Sequence, residues 1–207
     1  MFQGRKEAGL RLSILLLEEN LENAIIISIP RGGIVVGKFV ADVLKVPNAA
    51  LLVKKIGAPN NPELAIGATG IDGIVFWDNV LIKNLEVSEK EKKELLAIAL
   101  NTIRERQKIL NIGVPDVKDK TTFVIDDGVA TGATSIAAAL ILKKLGASKI
   151  VLATPVISQN TKRELEEYFD KIIAVEIPKD FRAVGQFYRE FPQIEDSEVK
   201  KILNSKN

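Results

Sequence analysis

Residues 122–145 constrain the fold of this chain more than any other stretch. Phe123, Val124 and Ile125 read as the end of a buried strand, and two adjacent carboxylates, Asp126 and Asp127, follow at once. Gly128, Ala130, Thr131, Gly132, Ala133 and Thr134 then lead through small or hydroxylated side chains into residues 135–145, which have strong helix propensity. The start of such a helix offers unpaired backbone N–H groups and the positive end of its dipole to an anion, and small side chains let a phosphate come close. The carboxylates cannot bind that phosphate. They suit accepting hydrogen bonds from hydroxyls, as on a sugar, or sitting near a phosphate-bound metal. A plain strand and turn with Thr134 or Ser135 as N-cap is the alternative; it explains the hydroxyls but not two acids followed by so many small residues.

The rest of the chain places this unit. Residues 5–20 read as an amphipathic helix with Ala8, Leu12, Leu15 and Leu16 on one face. Residues 24–29 form a β-branched, buried strand, Pro30-Arg-Gly-Gly33 breaks it, and residues 34–44 resume as a helix. A second strand over 49–53 ends in Lys54-Lys55. Residues 56–73 are rich in Gly, Pro and Asn and too long for a simple connection, which points to a functional loop or small flap. A short strand at 73–77 precedes a capping box, Ser88-Glu-Lys-Glu91, that opens a helix to about Leu110, with Leu96, Leu100, Ile103 and Leu110 along one face. Strands at 149–154 and 171–175, a helix at 160–169 and a last helix near 197–203 complete the pattern. The order βαβ…αβαβ predicts an α/β fold: a doubly wound parallel sheet, in one domain over 1–207, with a flap at about 56–77 and a C-terminal extension at about 178–207.

Composition narrows the chemistry by what is missing. The chain has no cysteine and no histidine, which removes disulfides, thiolate catalysis, the Ser-His-Asp triad and the commonest zinc ligands. Asp, Glu, Lys, Arg, backbone dipoles and Mg²⁺ are left, favouring a mechanism of positioning and electrostatics. A formal net charge of +2 implies no general polyanion surface, so no nucleic-acid partner is expected. No apolar run is long enough to span a bilayer and residues 1–8 lack a signal-peptide core, so the expectation is a cytoplasmic protein without a membrane partner.

Pro30-Arg-Gly-Gly33 lies where a strand meets its helix, the same topological position as residues 126–134. Gly32 and Gly33 leave backbone N–H groups unshielded, and Arg31 offers a fork to a phosphate; a tight turn with a surface arginine is the plainer reading. Neither G-x-G-x-x-G nor G-x-x-x-x-G-K-[ST] occurs, which disfavours the nucleotide folds built on those loops. Lys54 and Lys55 suit a leaving pyrophosphate or a solvated pair. Glu63 stands out only as an acid of the 56–73 loop. Phe181, Phe187, Tyr188 and Phe191 concentrate in the tail of a chain that is only 5% aromatic, as core, lid or base-stacking rings.

Val124-Ile-Asp-Asp-Gly-Val-Ala-Thr-Gly-Ala-Thr134 closely resembles the phosphoribosyl pyrophosphate (PRPP) motif of type I phosphoribosyltransferases, four apolar residues, two acids, then small and hydroxyl residues. The likeness extends to Phe2 with Arg5, Ala8 and Gly9, to Pro30-Arg-Gly-Gly33, Lys55-Ile-Gly-Ala-Pro59, Pro62-Glu-Leu-Ala-Ile-Gly-Ala68 and Phe181-Arg-Ala-Val-Gly-Gln-Phe-Tyr188, as in a group of such enzymes of unassigned acceptor. The resemblance implies that Asp126 and Asp127 bind the ribose hydroxyls of PRPP. It implies a 5′-phosphate cradle of Ala130, Thr131, Gly132, Ala133 and Thr134, and a pyrophosphate loop of Arg31, Gly32 and Gly33. It implies Mg²⁺ held through PRPP and water near the acid pair, a mobile flap over 56–73, and transfer of the phosphoribosyl group to a nitrogen acceptor. A homodimer is the common oligomer. Hypoxanthine-guanine enzymes carry a third acid where this chain has Ala130, which argues against that subclass; adenine-type motifs tolerate alanine. A non-catalytic PRPP- or nucleotide-sensing module, and a sugar-phosphate hydrolase or phosphorylase, are the competing readings.

Overall fold

The pleat of the central strands sets the architecture. In the computed structural model, which describes residues 1–71 and 73–205, the helices are α1 (Arg5–Leu16), α2 (Gly32–Leu44), α3 (Asn79–Asn84), α4 (Glu89–Leu110), α5 (Ala133–Lys144), α6 (Gln159–Leu165) and α7 (Asp196–Asn204). The strands are β1 (Ala24–Ser28), β2 (Asn48–Ala50), β3 (Val53–Ala58), β4 (Asn61–Gly70), β5 (Val75–Trp77), β6 (Thr121–Ile125), β7 (Lys149–Val156) and β8 (Lys171–Glu176). Five of them form one sheet in the order β2-β1-β6-β7-β8, every pairing parallel. Successive side chains along a strand point to opposite faces. Ile25, Ile27, Val124 and Leu152 therefore pack with Ala138, Leu142 and Leu165 of α5 and α6. Ile26, Phe123, Ile125 and Val151 pack on the other face with Leu12, Leu16, Val36 and Val40 of α1 and α2. This is the α/β, doubly wound arrangement expected.

The register of β1 against β6 positions the site. Ile27 lies beside Val124 and Ser28 beside Ile125, and Ile29 N–H donates to the Ile125 carbonyl at 2.9 Å. The two strands end level, so the segments that leave them, 29–33 and 126–134, emerge side by side at the carboxyl edge of the sheet. That edge is where open α/β sheets place their ligands.

Several boundaries differ from the sequence reading. Helix α1 stops at Leu16, and Leu15 is 37% exposed; the buried face is Arg5, Ala8, Gly9, Leu12, Ser13 and Leu16. Helix α2 begins at Gly32, so both glycines form its first turn. The apolar run 49–53 is not one strand. Its start belongs to β2, Leu51 and Leu52 are a buried link, and Val53 opens β3 in another sheet. An unbroken apolar run carries no mark of where a chain changes sheet. Consequently Lys54 and Lys55 lie inside the flap, not at the end of a core strand.

The flap is more ordered than its Gly- and Pro-rich composition suggested. Strands β3, β4 and β5 form an antiparallel sheet, with irregular register between Ile56 and Ala58. Gly57 is required there: a Cβ would lie 2.4 Å from the Pro62 carbonyl oxygen. The root of this sheet packs on α5 through Ala68, Ala133 and Ala137, while Ile56, Ile66 and Trp77 pack toward Leu95, Leu96 and Ala99 of α4. Helix α4 carries the expected capping box between Ser88 and Glu91. The short α3, N-capped by Asp78, was not anticipated.

Candidate active site

The acid pair is built by the last turn of the backbone out of β6. Asp127 N–H donates to Asp126 Oδ1 at 2.9 Å, curling the chain so that both carboxylates sit together. Asp126 is half-buried, and its pKa is raised well above the ordinary carboxylate range, first by burial and then by the neighbouring Asp127 charge. Lys55 of the flap opposes this with its positive charge. Asp127 is held from two sides. Arg5 Nε donates to its Oδ2 at 2.7 Å, and Tyr188 O–H donates to its carbonyl at 2.5 Å. Burial, with the Asp127 charge second, pushes the Tyr188 phenol far above its usual range, so it stays a donor.

The glycines of the first loop fit against this pair with no space to spare. A Cβ on Gly32 would lie 1.8 Å from Asp127 Oδ2, and one on Gly33 would lie 2.7 Å from the Ile125 carbonyl oxygen and 2.9 Å from Asp126 Cα. The Pro30–Arg31 peptide that precedes them is cis. Arg31 is partly exposed, 3.9 Å from Glu195.

From Gly128 to Ser135 the chain makes an anion cradle. Val129 N–H donates to the Val156 carbonyl, anchoring the loop to β7. Gly132 caps α5 in the left-handed region, φ 74°, where glycine carries no Cβ penalty; the cap is therefore neither Thr134 nor Ser135. Among the described residues, the amides of 130–135 have no hydrogen-bond acceptor, the next N–H to be satisfied being that of Ile136. The hydroxyl of Ser135, fully buried, has no partner either. Such a run of donors at a helix N-terminus is a site for a phosphate.

Thr161 keeps this cradle a donor surface. Its hydroxyl accepts from Ser158 at 2.8 Å and donates to the Ala130 carbonyl at 2.6 Å, drawing that acceptor toward α6. Thr161→Val should orphan the carbonyl, lowering stability by about 1–3 kcal/mol and weakening binding of inorganic phosphate. Thermal unfolding with and without phosphate checks this; an unchanged midpoint and affinity would dismiss the role. Beside the cradle, Ala130, Thr131 and Ala133 form one wall of a groove of about 690 Å³ that runs between Phe76 and Trp77 of the flap and Tyr168 after α6.

Comparison with known proteins bears on what such a site belongs to. A family model described as the phosphoribosyl transferase domain matches residues 5–192. The chain belongs to the phosphoribosyltransferase family. A Mycobacterium tuberculosis (strain ATCC 25618 / H37Rv) protein named "Putative phosphoribosyl transferase Rv0571c" is 32% identical over 209 residues, covering 99% of this chain. This chain spans 46% of that relative's length, about half. The solved structure of TT1426 from Thermus thermophilus superposes with a TM-score of 0.83 at 32% identity, covering 98% of this chain and 97% of that one. A purine phosphoribosyltransferase from Pyrococcus horikoshii Ot3 shares the fold, with a TM-score of 0.50, 19% identity and 92% of each chain covered.

In this chain the fold brings together Asp126, Asp127, Gly32, Gly33 and the 130–134 loop, with the Lys55 charge acting on the acid pair. It does not gather every residue singled out. Lys54 lies near Pro30, Thr102 and Arg106, and Glu63 is exposed near the hairpin tip. Three contributions were not read from sequence: Arg5 and Thr161 had no role assigned, and Tyr188 was expected only as a core, lid or base-stacking ring. Arg5 left a readable trace. It shares a helical face with Ala8, Leu12 and Leu16, and an arginine heading a buried stripe requires a buried acceptor.

Proposed function

We propose that the chain is a Mg²⁺-dependent phosphoribosyltransferase that moves the 5-phosphoribosyl group of PRPP to a nitrogen acceptor, releasing pyrophosphate. The observation that carries this reading is the level ending of β1 and β6, which sets the glycine loop after β1 beside the segment after β6 that holds both the carboxylate pair and the cradle of free amides. Neither half suffices alone. The cradle takes a phosphate, the carboxylates take vicinal hydroxyls, and a ribose 5-phosphate presents both.

In this reading the amides of 130–135, with the hydroxyls of Thr131 and Thr134, hold the 5′-phosphate. Asp126 and Asp127 accept the 2′- and 3′-hydroxyls, fixing C1 of the sugar toward the first loop. There the Gly32 and Gly33 amides and the Arg31 and Lys55 charges face the pyrophosphate, while Lys54, the residue before Lys55, lies apart beside Pro30, Thr102 and Arg106. The acceptor nitrogen attacks C1 as the bond to the pyrophosphate oxygen breaks, and the nitrogen loses its proton to solvent. Positive charge builds on the ribose ring during this step, and the acid pair lies where it can offset that charge. Among the described residues no three side chains of His, Cys, Asp or Glu converge on a metal position. Magnesium would therefore be held chiefly by oxygens of PRPP and water, and it would neutralise the departing pyrophosphate. No described helix is long and apolar enough to cross a membrane, and we place the activity in the cytoplasm.

Pyrophosphate release from Mg-PRPP across a panel of purines, pyrimidines and amines tests the proposal. Release that depends on an acceptor supports it. Release without an acceptor would make the protein a hydrolase, and none with any acceptor, despite PRPP binding, would make it a sensor.

A further inference from the structure

The first residues of the chain and the segment 187–192 meet at the acid pair, and nothing in the reaction as outlined uses that meeting. Phe2 pairs with Tyr188 in a parallel bridge, its N–H donating to the Phe187 carbonyl at 2.7 Å and its carbonyl accepting from Arg189 N–H at 2.8 Å. Three residues on, Arg5 turns inward and is only 8% exposed. One prong of its guanidinium reaches Asp127 Oδ2 at 2.7 Å, another reaches the Pro192 carbonyl at 2.8 Å, and its plane lies over the Phe191 ring, 3.9 Å from the centroid. Gly32 of the first anion loop packs against this contact so closely that a Cβ would stand 2.9 Å from Arg5 Nε.

From this geometry we propose that Arg5 is a positioning residue for ribose recognition. It clamps Asp127 by one carboxylate oxygen, Oδ2, and so presents the other, Oδ1, to a sugar hydroxyl. The ion pair engages Oδ2 alone, and the other neighbour hydrogen-bonded to the Asp127 carboxyl is the Asp126 side chain, its partner in the proposed ribose site. A free carboxylate rotates about its terminal torsion, which is broad and soft. One locked by a buried, planar donor does not, and lysine cannot replace it because a single ammonium cannot span Asp127 and Pro192 with the same fork. Tyr188 fixes the backbone of Asp127 while Arg5 fixes its side chain. The aromatic residues of the tail thereby have a use beyond packing: Phe191 holds the guanidinium flat, and Tyr188 holds the peptide it addresses.

The inference rests on the phosphoribosyl reading, and its test separates the two. Calorimetric titration of ribose 5-phosphate and of inorganic phosphate into the wild-type chain, Arg5→Gln and Arg5→Lys gives a sugar-to-phosphate affinity ratio for each. A clamp that acts on the ribose predicts that Arg5→Gln lowers ribose 5-phosphate affinity about tenfold or more while phosphate affinity changes less than about threefold, with Arg5→Lys between. A general structural role would lower both affinities alike, and that outcome, or no change in either, overturns the inference. Should Arg5→Gln fail to fold, the ratio for Arg5→Lys decides in the same way. A wild-type chain that binds ribose 5-phosphate no better than phosphate would overturn the phosphoribosyl reading itself, and this inference with it.

Discussion

Replacing Asp126 by asparagine should make the unliganded protein more stable at neutral pH while removing its affinity for Mg-PRPP. Asp126 is a carboxylate that folding makes harder to ionise, because burial and the Asp127 charge both disfavour its anion. The sign follows from linkage. A group whose folded pKa lies above its unfolded value contributes most stability below the unfolded value, about 3.9 for an aspartate, and that contribution is lost as pH rises through the folded value. At pH 7 the wild-type fold carries this penalty and the asparagine variant does not. The variant keeps an acceptor for Asp127 N–H, so the local turn survives. A gain of about 1–2 kcal/mol is expected, a rise of roughly 2–8 °C in the unfolding midpoint. At pH 3.5 most of the gain should vanish, since both carboxamide and protonated carboxyl are then neutral. A variant no more stable than wild type at pH 7, or equally favoured at both pH values, would contradict this account.

Gly32→Ala should have the largest effect of any single methyl group added to the chain. Its Cβ would stand 1.8 Å from Asp127 Oδ2 and 2.4 Å from Asp127 Cγ, separations no pair of unbonded heavy atoms tolerates. Alanine favours helix, and Gly32 is helical, so propensity alone argues for a gain of several tenths of a kcal/mol. Sterics reverse the sign. The carboxylate must swing away, Arg5 loses its buried partner, and the first loop is pushed off the acid pair. We expect a loss of about 3 kcal/mol or more from overpacking and the broken ion pair together, and no detectable PRPP binding. Gly113→Ala is the matched control, because nothing lies within 4 Å of its Cβ position, and it should move stability by less than about 0.5 kcal/mol. Chemical denaturation of the two variants decides the matter; equal midpoints would rule out the clash.

The parts of this site legible in the sequence are those written in one continuous segment. Residues 122–134 announce their strand, acids, small turn and helix because each depends only on neighbours a few positions away. The β-branched run Ile25–Ile26–Ile27 and the capping box at Ser88 are local in the same sense. What stayed hidden depends on distance. Arg5 and Asp127 are 122 positions apart and Tyr188 and Asp127 are 61 apart, and no local pattern ties such residues together. The break inside residues 49–53 was invisible for another reason: Ala50, Leu51 and Leu52 are all buried, so burial could not mark where one sheet gives way to the next. Thr161 falls at the start of the helix expected over 160–169, and its N–H does serve that helix start by donating to Ser158 Oγ. Its hydroxyl has a second task that only the neighbouring loop reveals.

The flap hairpin shares its root with the phosphate cradle. Ala68 near the end of β4 is fully buried against Ala133 and Ala137, and Ala133 is also the first residue of the helix that carries the free amides. Alanine against alanine brings the two backbones close and leaves no long side chain between them to act as a cushion. Residues 59–63 at the far end are exposed, and between root and tip lies the irregular register at Ile56–Ala58. Mechanically this is a finger with a seated base and one knuckle. In the function proposed above, bending at the knuckle would let the tip follow a ligand in and out while the amides beside the seat keep their aim.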